Sequence, residues 1–211
     1  MNISATLIIL LPVCRECYRE NLKHYLIVGQ ARQYIINVIG CGKIKRGVMQ
    51  VRKARVEEAE ALWALRNDAL RTGCQGVYDA ETLAAWTPDN MPSGFLPMIQ
   101  IHPFFVVDDE WGTFPVGSGF LDLTNHRVEA VFTLSSYQRK GVASLIMNAI
   151  KHEAIARGIR TLKLSSTPNA VAFYQHHDFT LLRQSRYFSP LAQKHLDCFL
   201  MQWCVAESDI E

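Results

Sequence analysis

The sequence predicts an α/β protein built on one mixed β-sheet, and three observations lead to this fold class. Three short apolar runs rich in β-branched and aromatic residues, at 104–107, 116–123 and 128–134, are separated by turns, which is typical of consecutive antiparallel strands. An amphipathic helix and a further strand at 161–165 come next, and a strand–helix–strand unit implies a right-handed parallel crossover. The predicted sheet therefore begins antiparallel and gains one parallel pair.

Two helices and an opening strand are predicted before the antiparallel strands. Residues 49–54 predict the strand, and residues 57–70 predict a helix with acidic residues in its first turn and Gly73 at its end. A second short helix is predicted at 79–86, with Asp79 as its cap. The breakers that follow predict an irregular loop: Pro88, Pro92, Gly94 and Pro97.

The clearest helix follows the third antiparallel strand and ends at Gly158. Its apolar residues recur with the period of an amphipathic helix: Val142, Leu145, Ile146, Ala149 and Ile150. A shorter helix is predicted at 168–176, capped by its first two residues. Two final strands, near 180–188 and 196–205, complete the sheet.

Composition excludes several classes of function. A net charge of +2 on 211 residues is too small and too scattered for a nucleic-acid surface. The six cysteines are irregularly spaced, which favours reduced thiols in a cytosolic protein, and no zinc or other metal site is predicted. The apolar run at 5–13 is too short to span a membrane and lacks the features of a signal peptide. We therefore expect a cytoplasmic protein without a membrane partner.

Residues 1–48 differ in texture from the rest of the chain, since they show neither a helical period nor a strand alternation. One hypothesis is that Met49 is the natural start and that residues 1–48 come from an upstream mis-start. The alternative is a genuine N-terminal extension that packs on the domain or mediates association. In both cases the domain that carries the function is expected at 49–211.

Residues 131–143 place a strand end, a polar loop and a glycine-containing helix start in immediate succession. Such a turn directs consecutive backbone N–H groups and a helix dipole at one point, which suits a pyrophosphate. Gly141 and Ala143 allow close approach of the phosphates, and Arg139 and Lys140 add positive charge. Ordinary strand–helix connections look similar, but the glycine patterns of nucleotide-binding and dinucleotide-binding loops are both missing from the sequence.

Two motifs resemble those of the GNAT superfamily of N-acetyltransferases. Residues 138–143, Gln-Arg-Lys-Gly-Val-Ala, resemble its Gln/Arg-x-x-Gly-x-Gly/Ala acetyl-CoA motif, and residues 169–179 resemble its Asn-x-x-x-x-Phe-Tyr-x-x-x-Gly-Phe segment. The resemblance covers about 49–205, including the order of the predicted elements. This chain departs from the pattern at Ser136, where proline is usual, and at Asp178, where glycine is usual.

The resemblance implies a GNAT-like fold and an acetyl-CoA site within it. The fold is a mixed, mostly antiparallel sheet whose central parallel strand pair splays to hold acetyl-CoA, with helices on both faces. The pantetheine arm is expected against residues 132–134, the pyrophosphate on the N–H groups of 139–144, and Asn169 on the far side. The implied acetyl-CoA residues are Phe132, Thr133, Leu134, Arg139, Lys140, Gly141, Val142, Ala143, Ser144 and Asn169.

Two residues are candidates for proton transfer. The resemblance implies that Tyr174 protonates the departing CoA thiolate, and the alternative is an aromatic ring packed on the sheet. Glu129 lies on the strand that leads into the loop, and alternation predicts that it shares a face with Val131 and Thr133, where it would act as the base. The alternative for Glu129 is a solvent-facing or ion-paired carboxylate, with Arg127 as its partner.

The predicted function is transfer of an acetyl group from acetyl-CoA to a primary amine, with backbone N–H groups near Leu134 stabilising the oxyanion. The alternative is a non-catalytic acyl-CoA-binding or sensing domain. A small-molecule acceptor is favoured over a protein amine, and a homodimer is possible. Residues 71–102 are expected to form much of the acceptor pocket.

The sequence also suggests roles for several other residues. The acidic side chains of the acceptor region would favour a cationic amine: Asp79, Glu81 and Asp89. His176 and His177 are expected to cap a helix end at the surface, because positive charge suits that end of the helix dipole. Cys74 is expected to be a buried thiol.

Overall fold

The computed structural model describes residues 49–205. The two hypotheses on residues 1–48 concern a segment that lies outside the described residues. No helix within 49–205 has the length and apolar character needed to cross a lipid bilayer. The described helices and strands are, in chain order, β1 (Val51–Lys53), α1 (Ala59–Gly73), α2 (Ala80–Trp86), α3 (Phe95–Ile101), β2 (Phe104–Asp108), β3 (Pro115–Asp122), β4 (Arg127–Thr133), α4 (Val142–Ala156), β5 (Thr161–Ser166), α5 (Val171–His176), β6 (Thr180–Ser189) and β7 (Lys194–Cys204).

All these strands belong to one sheet in the order β1-β2-β3-β4-β5-β7-β6. The pairing of β4 with β5 is parallel, and every other neighbouring pair is antiparallel. The last strand of the chain, β7, lies between β5 and β6. The predicted fold class is confirmed, including the central parallel pair.

Helices cover both faces of the sheet. Because successive strand residues point to opposite sides, neighbouring residues of one strand pack against different helices. Val107 belongs to the hydrophobic cluster that contains Ile146 and Ile150 of α4. Its neighbour Val106 belongs to a second cluster, which contains Leu62 of α1. Both valines are fully buried, so β2 is covered from two sides.

Two glycines of β3 allow α4 to approach the sheet closely. A Cβ atom at Gly117 would overlap the Cγ1 atom of Val142, and one at Gly119 would lie 2.7 Å from Cγ2 of Ile146. Real side chains do not tolerate such distances, so these positions require glycine for the observed packing. The two glycines therefore fix the first turns of α4 against β3.

We expect Gly117→Ala to lower the free energy of unfolding by about 1–3 kcal/mol, because the added methyl group must displace Val142. Urea unfolding measures this change. Gly94→Ala is the matched control: a Cβ atom there meets no other atom within 4 Å and its φ is −72°. The explanation is wrong if both variants lose stability equally.

The parallel pair separates after a single point of contact. Its paired residues within the described chain are Arg127 and Lys163, near the start of both strands. Further along β4 the register with β3 shifts between the pairs Phe120–Glu129 and Ser118–Phe132, and Ala130 has a φ of 56°. This is a β-bulge, which bends a strand and increases its twist. The C-terminal half of β4 therefore borders an opening toward β5.

One helix was not predicted from the sequence. Residues 88–97 were expected to form an irregular loop, but α3 begins at Phe95. Pro97 occupies the third helical position, where a backbone N–H has no partner within the helix, so its missing N–H does not break the first turn. Ile99 is buried on the sheet beside Phe95, which stabilises the helix through packing.

Candidate active site

The loop between β4 and α4 leads into a helix start that no side chain caps. Gly141 precedes the helix with a φ of 82°. The first helical hydrogen bond runs from the N–H of Leu145 to the carbonyl of Gly141 at 3.0 Å. The N–H groups from Gly141 to Ser144 therefore precede the helical ladder and point out of the helix end, with the dipole behind them. This end suits a pyrophosphate.

Two cations lie just before this helix start. Arg139 and Lys140 are both exposed, and Arg139 adopts a φ of 61°. The ammonium of Lys140 lies 4.2 Å from the ring centre of Tyr137, a cation–π contact that orders the side chain. Positive charge and uncapped N–H groups thus occur together at one end of α4.

An aspartate of α1 holds the loop in place, and no motif in the sequence indicates this role. Asp68 accepts hydrogen bonds from the N–H of Ser135 at 2.7 Å and from its hydroxyl at 3.3 Å. A carboxylate on backbone N–H groups at the start of a turn acts as a cap. The loop before α4 is therefore tied to α1 as well as to β4.

The end of β4 corrects one prediction about the oxyanion. The N–H of Leu134 donates to the carbonyl of Val116 at 2.9 Å, and the N–H of Ser135 is taken by Asp68. Neither of these two N–H groups is available to an oxyanion, so the N–H of Leu134 itself does not supply the expected donor. Because successive residues turn their N–H groups to opposite neighbours, the N–H of Thr133 points to the opening.

The side chain of Thr133 contains an unsatisfied polar atom. Its hydroxyl is fully buried and has no hydrogen-bond partner among the described residues. An unpaired buried hydroxyl costs about 1–3 kcal/mol, so such a group is uncommon without a role. Thr133 thus supplies a backbone N–H and a side-chain hydroxyl with which a polar ligand could form hydrogen bonds.

The bulge at Ala130 reverses the predicted orientation of Glu129. Glu129 pairs with Phe120, whose ring belongs to the cluster on the α1 face, whereas Val131 packs into the α4 cluster. The prediction that Glu129 shares a face with Val131 and Thr133 was therefore wrong, because the bulge breaks the alternation. The carboxylate accepts a hydrogen bond from Nε of Arg127 at 2.8 Å and remains 41% exposed.

Tyr174 lies on α5, half-buried between aromatic neighbours. Its ring centre is 5.1 Å from that of Phe173 and 5.9 Å from that of Phe179. Burial raises the pKa of the Tyr174 phenol, and the carboxylate of Glu129 raises it further. The phenol therefore keeps its proton at neutral pH. The charge of Glu129 thus reaches Tyr174 through electrostatic interaction.

Asn169 contacts α1 in this structure. Its amide Nδ2 donates to the carbonyl of Gly73 at 2.8 Å, and the thiol of Cys74 lies 3.9 Å from its Oδ1. Cys74 is buried, as expected, and burial raises the pKa of its thiol. Asn169 thus joins the start of α5 to the end of α1.

The two histidines after Tyr174 differ from each other. His176 is exposed near the end of α5, as predicted, but the prediction of a surface cap was wrong for His177. The ring of His177 is buried, with Nε2 3.0 Å from the hydroxyl of Ser144 in the first turn of α4. The sequence does not indicate this contact, because it depends on how α4 and α5 pack.

Burial lowers the pKa of His177, and the nearby cations Lys151 and His176 lower it further, while Asp178 opposes them. The unfolded chain therefore binds this proton more readily, and stability falls as the pH drops below about 6.5. We expect His177→Asn, which does not titrate there but can still bond Ser144, to lose less stability on acidification. Urea unfolding at about pH 8 and about pH 5 tests this; equal losses in both proteins would contradict it.

The acidic residues of the acceptor region all have partners within the protein. Asp79 caps α2 by accepting hydrogen bonds from Thr82, as its predicted capping role required. Glu81 lies 3.6 Å from the ammonium of Lys194, and the carboxylate of Asp89 lies 2.8 Å from the guanidinium of Arg71. These carboxylates therefore give no support for a cationic acceptor.

No set of three or more His, Cys, Asp or Glu side chains within 49–205 is arranged to hold a metal ion.

The comparison with protein-family models identifies one family. A sequence profile of the acetyltransferase (GNAT) domain matches residues 76–193. The chain is similar in structure to a GCN5-related N-acetyltransferase from Rhodopseudomonas palustris, with 16% identity and a TM-score of 0.68 over 78% of this chain and 100% of that one. It is also similar to PaiA N-acetyltransferase from Thermoplasma acidophilum, solved with coenzyme A. The identity is 15% and the TM-score is 0.59, over 75% of this chain and 99% of that one. A search of curated proteins found no match in sequence.

A third similar structure is a phosphinothricin acetyltransferase from Sinorhizobium meliloti, solved with acetyl-CoA. It shares 16% identity and a TM-score of 0.56, over 75% of this chain and 89% of that one. At these identities the three structures show a shared fold. The profile match spans more than half of the chain and includes β4, the loop before α4 and Tyr174. The chain belongs to the GNAT acetyltransferase family.

Proposed function

We propose that this chain transfers an acetyl group from acetyl-CoA to a primary amine of a small molecule, by direct attack through a tetrahedral intermediate. The observation that carries the proposal is the convergence of three features. A carboxylate, Glu129, interacts electrostatically with a protonated phenol, Tyr174, and the opening beside β4 lies next to the loop that leads to the uncapped start of α4. Amine deprotonation, thiolate protonation and pyrophosphate binding each need one of these features.

Acetyl-CoA fits the groups available in and near the opening. The pyrophosphate would bind the N–H groups of residues 139–144, beside the cations of Arg139 and Lys140. The pantetheine arm would lie along residues 132–134 and pair with the backbone of Thr133, whose unsatisfied hydroxyl offers a further contact. Asn169 would bind acetyl-CoA from the side of α5, with a hydrogen bond to the cofactor in place of its hydrogen bond to Gly73.

Glu129 is the proposed base, acting directly or through a water molecule. An amine is mostly protonated at neutral pH and must lose a proton before its nitrogen can attack the acetyl carbonyl. The ion pair with Arg127 holds the carboxylate in place, and its remaining exposure gives access to solvent. The abstracted proton can therefore leave to water.

Tyr174 is the proposed acid. When the tetrahedral intermediate collapses, the carbon–sulfur bond breaks, its electron pair stays on sulfur, and the phenol donates a proton to the thiolate. Burial disfavours the phenolate and the thiolate alike, since both anions form in the same site. The products are an amide and free CoA.

Because the N–H groups of Leu134 and Ser135 already have partners in the protein, the oxyanion requires other donors. At the bulge, Ala130 and Val131 of β4 both lie opposite Gly119 of β3. A bulge leaves one residue unpaired in the ladder. We assign oxyanion stabilisation to the N–H released at this bulge, next to Glu129. This assignment replaces the one made from sequence.

The acceptor side of the cleft is bridged, which favours a small acceptor over a protein amine. The hydroxyl of Tyr78 donates to the carbonyl of Asp197 in β7 at 2.7 Å. Lys194 of the same strand reaches Glu81 of α2 at 3.6 Å. The β6–β7 hairpin is thereby connected to the segment around α2, which restricts access for an extended polypeptide.

The test is acetyl transfer by the full-length chain with a panel of small primary amines and of peptides. Free CoA is followed with a thiol reagent, and products are identified by mass spectrometry. The proposal requires one acetylated small amine for each CoA released. Acetyl-CoA binding without transfer to any amine would favour the alternative, a non-catalytic acyl-CoA-binding domain.

A further inference from the structure

A buried arginine on α1 lacks a counter-ion. Arg66 is 9% exposed, and no carboxylate within residues 49–205 lies within ion-pair distance of its guanidinium. One nitrogen, Nη1, donates to Oδ1 of Asn67 at 2.8 Å and to the carbonyl of Trp86 at 3.0 Å. Burying a charge without an opposite charge is costly, so a buried guanidinium with two neutral acceptors calls for an explanation.

Aromatic rings surround this guanidinium. Its central carbon lies 4.5 Å from the ring centre of Trp63, 5.9 Å from Trp86 and 6.0 Å from Phe132. Burial lowers the pKa of Arg66 to about 10, so the group remains charged at neutral pH. The rings orient the guanidinium plane by cation–π contacts but accept no strong hydrogen bonds. The other donors, Nε and Nη2, have no partner among the described residues.

Arg66 lies beside the proposed reaction centre. Phe132, which contacts it, is the residue before Thr133 on β4. Burial raises the pKa of the phenol of Tyr187 in the β6–β7 hairpin, the carboxylate of Glu129 raises it further, and the guanidinium of Arg66 lowers it. A positive group and the proposed base thus both act electrostatically on one tyrosine.

We propose that Arg66 binds a carboxylate of the acceptor, so that the acceptor is an amine that also carries an acid group, such as an α-amino acid. The inference rests on the proposed function, because it assigns the acceptor of the same site. A guanidinium presents paired N–H donors that match the two oxygens of a carboxylate. With the acid group on Arg66, the amine of a short acceptor would extend toward Glu129.

The first test compares amino acids with their amides in the transfer assay, using the full-length chain. Each pair has the same amine and side chain and differs in the negative charge. We expect kcat/KM to be about 10- to 100-fold higher for the acid, mainly through KM. In Arg66→Met, whose apolar side chain can fill the aromatic site, the preference is expected to disappear because kcat/KM falls more for the acid than for the amide.

A merely structural role for Arg66 predicts a different outcome. The variant would then lower kcat/KM for acids and amides by the same factor, and that result would overturn the proposal, as would wild-type protein without a preference for acids. The Kd of acetyl-CoA, measured by titration, is expected to stay within about 2-fold in Arg66→Met. Arg66→Lys retains the charge without the paired donors, and we expect it to restore part of the preference.

A binding measurement separates this proposal from the proposed function. Ligand-observed NMR with the amino-acid and amide panels, in the presence of CoA instead of acetyl-CoA, requires no turnover. We expect saturation transfer to acids but not to amides, and its loss in Arg66→Met. Absence of binding by every acid overturns the acceptor assignment even if acetyl-CoA binds. Acid binding without acetyl transfer overturns the proposed function and leaves the Arg66 site in place.

Discussion

Tyr174→Phe is expected to lower kcat by about 100- to 1000-fold, which is the usual contribution of a positioned general acid. The ring and its contacts with Phe173 and Phe179 remain, so only the hydroxyl is lost. Steady-state assays give kcat, and titration gives the Kd of acetyl-CoA, which should change less than about 2-fold. Loss of affinity together with kcat would instead indicate that Tyr174 binds the pantetheine arm.

Tyr78→Phe is the matched control for this substitution. It removes another phenol of raised pKa, whose hydroxyl donates to the carbonyl of Asp197 outside the proposed catalytic groups. We expect kcat to fall less than about 3-fold in this variant. A similar loss in both variants would show that the effect is a general consequence of removing buried hydroxyls.

The pH dependence gives an independent check of Tyr174. Because burial and Glu129 raise the pKa of its phenol, the acid stays protonated above the ordinary tyrosine value of about 10. We therefore expect kcat to show no falling alkaline limb below about pH 10. A limb well below that value, absent in Tyr174→Phe, would mean that the pKa is lowered and would contradict this account of the site.

Gly141→Glu is expected to weaken acetyl-CoA binding at least about 100-fold. The carboxylate would stand at the helix start proposed for the pyrophosphate, and like charges about 4 Å apart near a surface repel by several kcal/mol. The left-handed φ of 82° adds about 1 kcal/mol of strain. Isothermal titration measures the Kd, and urea unfolding measures the strain separately.

Gly158→Glu provides the control at the other end of the same helix. Gly158 also has a left-handed φ, 71°, and a Cβ atom at either glycine meets nothing within 4 Å. Both variants therefore carry similar backbone strain and the same added charge. The acetyl-CoA Kd of Gly158→Glu should stay within about 2-fold of wild type. Equal weakening in both variants would rule out the start of α4 as the phosphate site.

Most of the fold is predictable from the sequence because it depends on local patterns. Alternation and turns identify β2, β3 and β4, and the apolar period of α4 together with Gly158 gives that helix. The exception, α3, follows two prolines and contains a third. Its prolines suggest a loop, and only its packing against the sheet stabilises the helix.

The candidate site is less predictable because it depends on contacts between distant segments. The two motifs predict Gly141 and Tyr174 as site residues, because each motif requires a particular residue type at a particular spacing. The orientation of Glu129 depends on one extra residue in β4, which forms a bulge at Ala130. The bulge is not predictable from the sequence, because alanine occupies the position where a glycine would have indicated it. Asp68 and Arg66 acquire their roles only when α1 packs beside β4.

Isothermal titration of acetyl-CoA into the full-length chain is the most direct test of the central claim, that the opening beside β4 and the start of α4 form an acetyl-CoA site. We expect saturable binding of one acetyl-CoA per chain in the micromolar range, with competition by CoA. A folded chain that shows no binding at about 1 mM acetyl-CoA would contradict it.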